Sequence, residues 1–224
     1  MGDDFQGGKG LIAAAAVYNE HYRPLAELTL FENRKRYCEK NGYAYYFKKF
    51  DIELEDDYAR VGQMSFEKVR LILSIFRDSP QTMHVWMGDV DGMVMNMDAR
   101  LEEIIQKYPS EIVTGSDYNG LSTGCFICQN TQRVKDYLNE LWEKRAAYLH
   151  EQLFFWENPR SFIFKTPQRV MNSHDTTLPF LNPAGLDVES AQFQSGDFFM
   201  HWPAQTLNTR IRMYEKWKGA VIDK

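Results

Sequence analysis

The sequence predicts an α/β domain built on a single, mostly parallel central sheet. Two compact apolar runs, Leu11 to Val17 and Val85 to Met87, lack the polar alternation of a half-exposed strand and read as strands buried on both faces. Segments of helical period separate such runs. Strand and helix candidates then alternate along the chain without repeat, linker or low-complexity stretch. Residues 1–9, polar and glycine-rich, read as a flexible leader, and residues 10–224 as one domain.

The elements follow in order. Leu11 to Val17 is the first strand, ending at Tyr18-Asn19. Pro24 suits the first turn of a helix whose apolar positions are Leu25, Leu28, Phe31 and Cys38, with Lys35 interrupting the stripe; Asn41-Gly42 stops it. Tyr43 to Phe47 is aromatic and strand-like. Residues 51–60 are acidic and read as a surface loop. Ser65 is placed as the cap of a second helix running to Arg77, and Pro80 closes that segment. Val85 to Met87 leads into Asp89. Ala99 to Lys107 reads as a short helix, Ile112 to Thr114 and Ser122 to Cys128 as strands, and Gln132 to Leu149 as a long helix. Residues 154–163 read as aromatic and irregular, Gln168 to Met171 as a short strand, and Thr206 to Trp217 as the last helix.

Composition narrows the function. The chain has 224 residues, 44% hydrophobic and 14% aromatic, enough for one domain with a full core. A net charge of -5 lacks the basic field of a nucleic-acid binder. No apolar run approaches the roughly 18 residues of a membrane span. Three cysteines make no disulfide framework. Cys125 and Cys128 have the CxxC spacing, but residues three apart on a strand face opposite sides, so they read as ordinary buried thiols. A reducing compartment, hence a cytoplasmic location, is the expectation. The glycines around Lys9 do not make a phosphate loop, because Asp3 stands where a Gly is needed and no Ser or Thr follows Lys9. Oligomeric state is not legible.

The chemistry concentrates in His84-Val85-Trp86-Met87-Gly88-Asp89-Val90-Asp91-Gly92. A buried strand that delivers two carboxylates to its carboxyl end needs a cation to meet them. A divalent metal with oxygen ligands, Mn²⁺ or Mg²⁺, meets that need and can bridge a substrate diphosphate. Ligands in open α/β sheets sit beyond the carboxyl ends of strands. The competing reading is a turn carrying two solvated acids. Asp89-Val90-Asp91-Gly92 also resembles the first motif of haloacid-dehalogenase-type phosphatases, which pairs an Asp nucleophile with an Asp general acid and Mg²⁺. Met93 replaces that motif's Thr, and here the motif follows a long structured stretch instead of opening the fold.

Several blocks, in order, resemble a family of yeast galactosyl- and mannosyltransferases and plant xyloglucan xylosyltransferases. They are Leu30-Phe31-Glu32-Asn33-Arg34 with Asn41-Gly42-Tyr43, Phe66-Glu67-Lys68-Val69, Trp86 to Asn96, Leu121-Ser122-Thr123-Gly124-Cys125-Phe126-Ile127, Glu151-Gln152, Gln168 to Ser173 and Gly196 to Trp202. The resemblance implies the GT-A fold, a single Rossmann-like domain. It implies a metal-dependent glycosyltransferase that moves a hexose or pentose from a nucleotide diphosphate sugar, UDP-linked by preference, to a hydroxyl of a glycan or glycoconjugate acceptor with retention of configuration. A non-catalytic nucleotide-sugar-binding module is the alternative on the same fold.

By the same resemblance, Asp89, Asp91 and His201 are the metal ligands. Ala14 to Asn19 holds the base, with Tyr18 stacking on it. Val90 lies in the donor site, and Lys68 and Arg70 reach the diphosphate. Ser122, Thr123 and Gly124 line the donor sugar. Gln152 lies beneath the anomeric carbon, where a carbonyl dipole steadies an oxocarbenium-like transition state. Asp175 is a competing sugar contact or base, or simply the cap of a turn at His174-Asp175-Thr176. Phe154-Phe155-Trp156 and Trp202 are candidate platforms for acceptor sugars, or equally a packed aromatic cluster. Two departures stand out. Ser122 occupies the place of a usual Asn. The run after His201, Trp202-Pro203-Ala204-Gln205-Thr206, lacks the family's diphosphate-binding lysine, leaving Arg210 or Arg212 to replace it. The chain shows no membrane anchor or stem and reads as a minimal catalytic domain.

Overall fold

The structure, a computed structural model, describes residues 5–8, 10–50, 57–117, 120–175 and 189–224. Among these, one seven-stranded sheet runs in the order β1 (Phe5–Gly7), β3 (Ala44–Lys49), β2 (Ile12–Tyr18), β4 (His84–Gly88), β7 (Gly120–Gln129), β6 (Ile112–Asp117), β8 (Ile163–Lys165). Strands β3, β2 and β4 pair in parallel, and β6 pairs in parallel with β8. Strand β7 runs antiparallel to both its neighbours and β1 antiparallel to β3, so five of the seven strands share one direction. Residues 5–7 thus belong to the sheet edge, whereas the sequence placed them in a loose leader; residues 1–4 and 9 lie outside the described residues, as do 51–56 of the acidic segment.

Both faces of the sheet are covered. Along β2, Ala13, Ala15 and Val17 join the core beneath α3 (Asp57–Asp78), α5 (Gln132–Lys144) and α6 (Glu151–Glu157). Ala14, Ala16 and Tyr18 join the opposite core. The period-two alternation holds, but both sides are apolar, as expected of a central strand. Cys125 packs in one core and Cys128 in the other, confirming that they face apart. Burial pushes the Cys125 thiol up to about 12, and its sulfur accepts a hydrogen bond from Trp86 Nε1 at 3.0 Å.

The first helical segment departs from the sequence pattern. It starts as α1 (Arg23–Ala26), passes through a π-helical stretch (Glu27–Arg34) and resumes as α2 (Lys35–Asn41). Its buried residues fall in doublets four apart: Leu25-Ala26, Thr29-Leu30, Asn33-Arg34, Tyr37-Cys38. Four lies above the 3.6-residue α period, so the π stretch keeps one stripe aimed at the sheet. Leu28 and Phe31 are only half-buried as a result. Gly42 ends the helix in the left-handed conformation (φ 72°), which favours glycine.

Helix α3 begins earlier than expected, and Ser65 lies inside it. Its hydroxyl donates to Gly62 O at 2.6 Å and accepts from Glu151 N at 3.1 Å, so it caps α6 instead. Helix α4 spans Leu101–Lys107. Helix α6 falls where the sequence read irregular chain, and Gln168 to Met171 forms turn, not strand. A second sheet pairs β5 (Gly92–Val94) with β9 (Phe199–His201), antiparallel, and helix α7 (Leu207–Trp217) follows, with Thr206 capping its start. No described helix is long and apolar enough to cross a membrane.

Candidate active site

Strand β4 delivers Asp89 to the carboxyl edge of the sheet, and a turn leads through Asp91 into β5. The pairing of β5 with β9 sets Gly92 opposite His201, and Trp202 N donates to Asp91 O at 2.9 Å. A residue 110 positions along the chain is thereby brought onto the acidic turn. His201 Nε2 stands 3.2 Å from Asp91 Oδ1 and 3.7 Å from Asp89 Oδ2. One ligand atom from each of the three residues lies within 4.8 Å of the other two.

The outer oxygens of the two carboxylates are held by cations. Lys68 Nζ lies 2.5 Å from Asp89 Oδ1 and 2.7 Å from Glu151 Oε1. Arg210 Nη2 lies 2.7 Å from Asp91 Oδ2, with Nη1 on Tyr22 Oη at 2.7 Å and Nε on Trp202 O at 3.2 Å. Burial opposes the charge of Lys68, but Asp89 and Glu151 outweigh it and hold the ammonium well above its ordinary value. Burial likewise opposes ionisation of Asp91, yet Arg210 and then His201 hold it well below the usual carboxylate range. At Asp89, burial prevails over Lys68 and raises the value.

These contacts leave the inner oxygens, Asp89 Oδ2 and Asp91 Oδ1, facing the imidazole. Two carboxylate oxygens and one imidazole nitrogen suit Mn²⁺ or Mg²⁺. His201 Nδ1 is buried without a hydrogen-bond partner, so the ring is held by packing and backbone, not by a second polar anchor. The residues present fit a divalent ion.

The turn itself is fastened from below by the π-helical stretch. Arg34, fully buried, donates to Gly88 O (2.6 Å), Asp89 O (2.8 Å) and Gly92 O (3.3 Å). Its guanidinium lies 5.1 Å from the Trp86 ring centroid and 5.3 Å from that of Phe199. Burial lowers its pKa to about 10, which leaves it charged at neutral pH. Thr29 Oγ1 donates to Val90 O at 2.6 Å, and Asn33 exchanges two hydrogen bonds with the Val94 backbone at 2.8 and 3.0 Å. Sequence reasoning quoted Asn33-Arg34 only as part of a block and gave Thr29 and Glu151 no role.

The cluster opens on a cavity of about 530 Å³ lined by Val17, Tyr18, Asn19, Tyr22, Lys68, Asp89, Val90, Asp91, Arg210 and the residues entering α7, a size suited to a small-molecule site. Tyr18 stands edge-on to Phe31 at 5.7 Å, and Asn19 Oδ1 accepts from Tyr22 N at 3.1 Å. Of the other sequence candidates, Ala14 is fully buried in the core, and the cavity lining begins only at Val17. Arg70 points away from the site: two residues beyond Lys68 on a helix, it pairs with Glu67 and lies 4.9 Å from the Phe50 ring. Arg212 hydrogen-bonds Thr209 at the exposed surface.

Ser122, Thr123 and Gly124 pass beneath the cluster on β7. Ser122 Oγ accepts from Asn172 Nδ2 at 3.2 Å, and Thr123 O accepts from Lys68 Nζ at 3.3 Å. Gln152 Oε1 accepts from Thr123 N and Thr123 Oγ1 at 3.0 and 3.2 Å. Gly124 is pressed against the imidazole: a Cβ there would lie 2.4 Å from His201 Cε1. Asp175 is not in the cluster. It is fully buried and takes Lys216 Nζ at 2.5 Å and Trp217 Nε1 at 2.9 Å, tying down the end of α7; Thr176 of the expected turn lies outside the described residues. Phe154, Phe155 and Trp202 are buried core residues, whereas Trp156 is 40% exposed.

The family described as galactosyl transferase GMA12/MNN10 matches residues 11–110. The chain is 21% identical to an uncharacterized alpha-1,2-galactosyltransferase of Schizosaccharomyces pombe, over 96% of this chain and 66% of that protein. It is 24% identical to the probable alpha-1,6-mannosyltransferase MNN10 of Saccharomyces cerevisiae, over 57% of this chain and 38% of that protein. The chain thus spans less than two thirds of the length of either relative. A solved glycosyltransferase involved in glycosylating the major capsid of PBCV-1 superposes with a TM-score of 0.72 at 15% identity, over 92% of this chain and 98% of that one. Residues 11–110, which run from β2 past the Asp89–Asp91 turn, are thus similar to the galactosyl transferase GMA12/MNN10 family, on a chain that has the GT-A glycosyltransferase fold.

Proposed function

We propose that this protein transfers a hexosyl group from a nucleotide diphosphate sugar, UDP-linked by preference, to a hydroxyl of a glycan or glycoconjugate. The convergence of Asp89, Asp91 and His201, with both aspartates lining a cavity, carries this reading. Residues 10–224 act in it as one catalytic domain, which the shared sheet supports. Asp89, Asp91 and His201 would hold Mn²⁺ or Mg²⁺, and the ion would supply positive charge to a departing diphosphate.

The chain's own residues supply the rest. Tyr18 and Asn19, at the end of β2, contact the base. Lys68 pairs with Asp89 and opposes the effect of its burial. Ser122, Thr123 and Gly124 form the floor under the donor sugar. Gln152 is held beside that floor by Thr123, and an amide cannot act as a strong nucleophile. The proton of the acceptor hydroxyl therefore passes to the leaving phosphate oxygen, with transfer on the same face and retention. Half-exposed Trp156, one turn along α6 from Gln152, is the remaining aromatic platform for an acceptor sugar. The three buried free thiols suit the reducing, cytoplasmic setting read from sequence. The phosphatase alternative finds no support, since the first Asp follows a central strand flanked by antiparallel β7 in a glycosyltransferase fold.

A thermal-shift panel of UDP- and GDP-sugars with and without Mn²⁺ tests the reading. One donor should raise the melting temperature only with the metal, by mass action. Turnover of that donor with an acceptor supports the enzyme. Binding without transfer or hydrolysis identifies a binding module, and no shift with any donor contradicts the proposal.

A further inference from the structure

The acidic cluster is internally neutralised. Counting its formal side-chain charges and leaving the imidazole aside, the carboxylates of Asp89, Asp91 and Glu151 are paired with Lys68 and Arg210, and the Arg34 guanidinium, bonded to the backbone of the turn, adds a third positive charge. Three negative charges face three positive ones. A nucleoside diphosphate therefore meets no excess of positive charge in the metal-free site. A divalent ion against the inner carboxylate oxygens raises the sum to +2, which complements a diphosphate. Buried as these groups are, the change is weakly screened.

Among the cations, Lys68 and Arg210 both line the cavity and each holds one aspartate of the pair, but Arg210 is bound to a single carboxylate. Lys68 is shared between two carboxylates and Thr123 O. Arg34 is committed to three backbone carbonyls. Arg210 lines the cavity and holds Asp91 by Nη2, with Nη1 on the Tyr22 hydroxyl and Nε on Trp202 O, standing three residues inside α7, whose capped first turn borders the same cavity. The positive end of that helix adds to the field that an anion there would meet.

We propose that Arg210 is the diphosphate-binding cation of this chain and that, before nucleotide arrives, it serves as a counter-ion to Asp91 opposing the metal. This rests on the transferase reading of the site. It makes the metal and the nucleoside diphosphate mutually dependent. The ion weakens the hold of Asp91 on Arg210 and supplies the missing positive charge, while the diphosphate takes up the guanidinium and relieves its repulsion of the ion. By linkage, each ligand raises the affinity of the other by the same factor.

Titration calorimetry with Mn²⁺ alone, UDP alone and UDP at saturating Mn²⁺ tests this on wild type, Arg210→Gln and Arg210→Met, with thermal melts recorded for each. In wild type, UDP should bind at least tenfold tighter with Mn²⁺ than without. In both variants Mn²⁺ alone should bind roughly three- to tenfold tighter, because a competing cation is gone. UDP at saturating Mn²⁺ should bind at least tenfold weaker, and the coupling should shrink. Arg210→Met keeps the length of the buried chain and carries the test if Arg210→Gln does not fold. Variants that melt cooperatively but bind Mn²⁺ no tighter than wild type, or hold UDP as wild type does, overturn the proposal. A wild type that binds Mn²⁺ neither alone nor with UDP overturns the transferase reading itself.

Discussion

Gly124 and His201 are in direct contact across the site, the imidazole lying against a backbone that has no room for a side chain. A Cβ at position 124 would come within 2.6 Å of His201 Nδ1 as well as 2.4 Å of Cε1. The sequence suggested that this glycine lets the backbone approach the donor sugar; its missing side chain also makes room for the His201 imidazole. Gly124→Ala should push the ring away from Asp91 and weaken Mn²⁺ binding roughly 10–100-fold, as loss of a ligand-orienting contact does. Calorimetry with Mn²⁺ checks this, and an unchanged affinity would show that the ring position does not matter.

Arg34 is the clamp under the acidic turn. Its removal would strand three backbone carbonyls, with Gly88 O and Gly92 O in buried contact. Arg34→Met should cost about 2–4 kcal/mol of stability, measured by urea unfolding. Arg34→Lys should recover part of that loss but not the fork geometry.

Lys68 and Arg70 make a paired test. Lys68→Met leaves Asp89 and Glu151 buried with their shared cation gone and should cost about 3–5 kcal/mol. Arg70→Met, on the opposite side of α3, should leave Mn²⁺ and UDP affinity at wild-type values. A loss of nucleotide binding in the Arg70 variant would return that residue to the site.

How much was legible in the sequence follows from these residues. The acidic turn was readable because an apolar strand ending in two carboxylates has few physical solutions. His201 came only through the resemblance, since the β5–β9 pairing that delivers it joins segments far apart in the chain. Asn33 and Arg34 escaped because the apolar stripe read through Leu25, Leu28 and Phe31 leaves them on another face, whereas the buried doublets of the helix include them. Arg70 was misplaced for the reverse reason, a charge pair read together although i and i+2 do not share a helix face. Helix α6 was missed because Leu153 to Trp156 is aromatic and apolar without a polar face to set the period.

His174 gives a dependence on pH. Burial, then the neighbouring His201, lowers it to about 3. The unfolded chain takes a proton near the ordinary value of about 6.5 and the folded protein refuses it. Stability is complete above that value and falls as pH drops, by about 1.4 kcal/mol per pH unit. His84 and His150, whose values burial also lowers, act in the same direction. Urea unfolding of metal-free protein from pH 7 to 5, above the main carboxylate range, should show this slope. His174→Asn, which keeps a donor toward His201 O, should remove its largest part. An equal slope in the variant would assign the effect elsewhere.

The most direct measurement is anomalous diffraction at the manganese edge from crystals grown with Mn²⁺ and UDP. One peak is expected in coordinating contact with Asp89, Asp91 and His201, with diphosphate density reaching from that peak toward Arg210. A peak elsewhere, or nucleotide density in the cavity with no metal between it and the carboxylates, would contradict it.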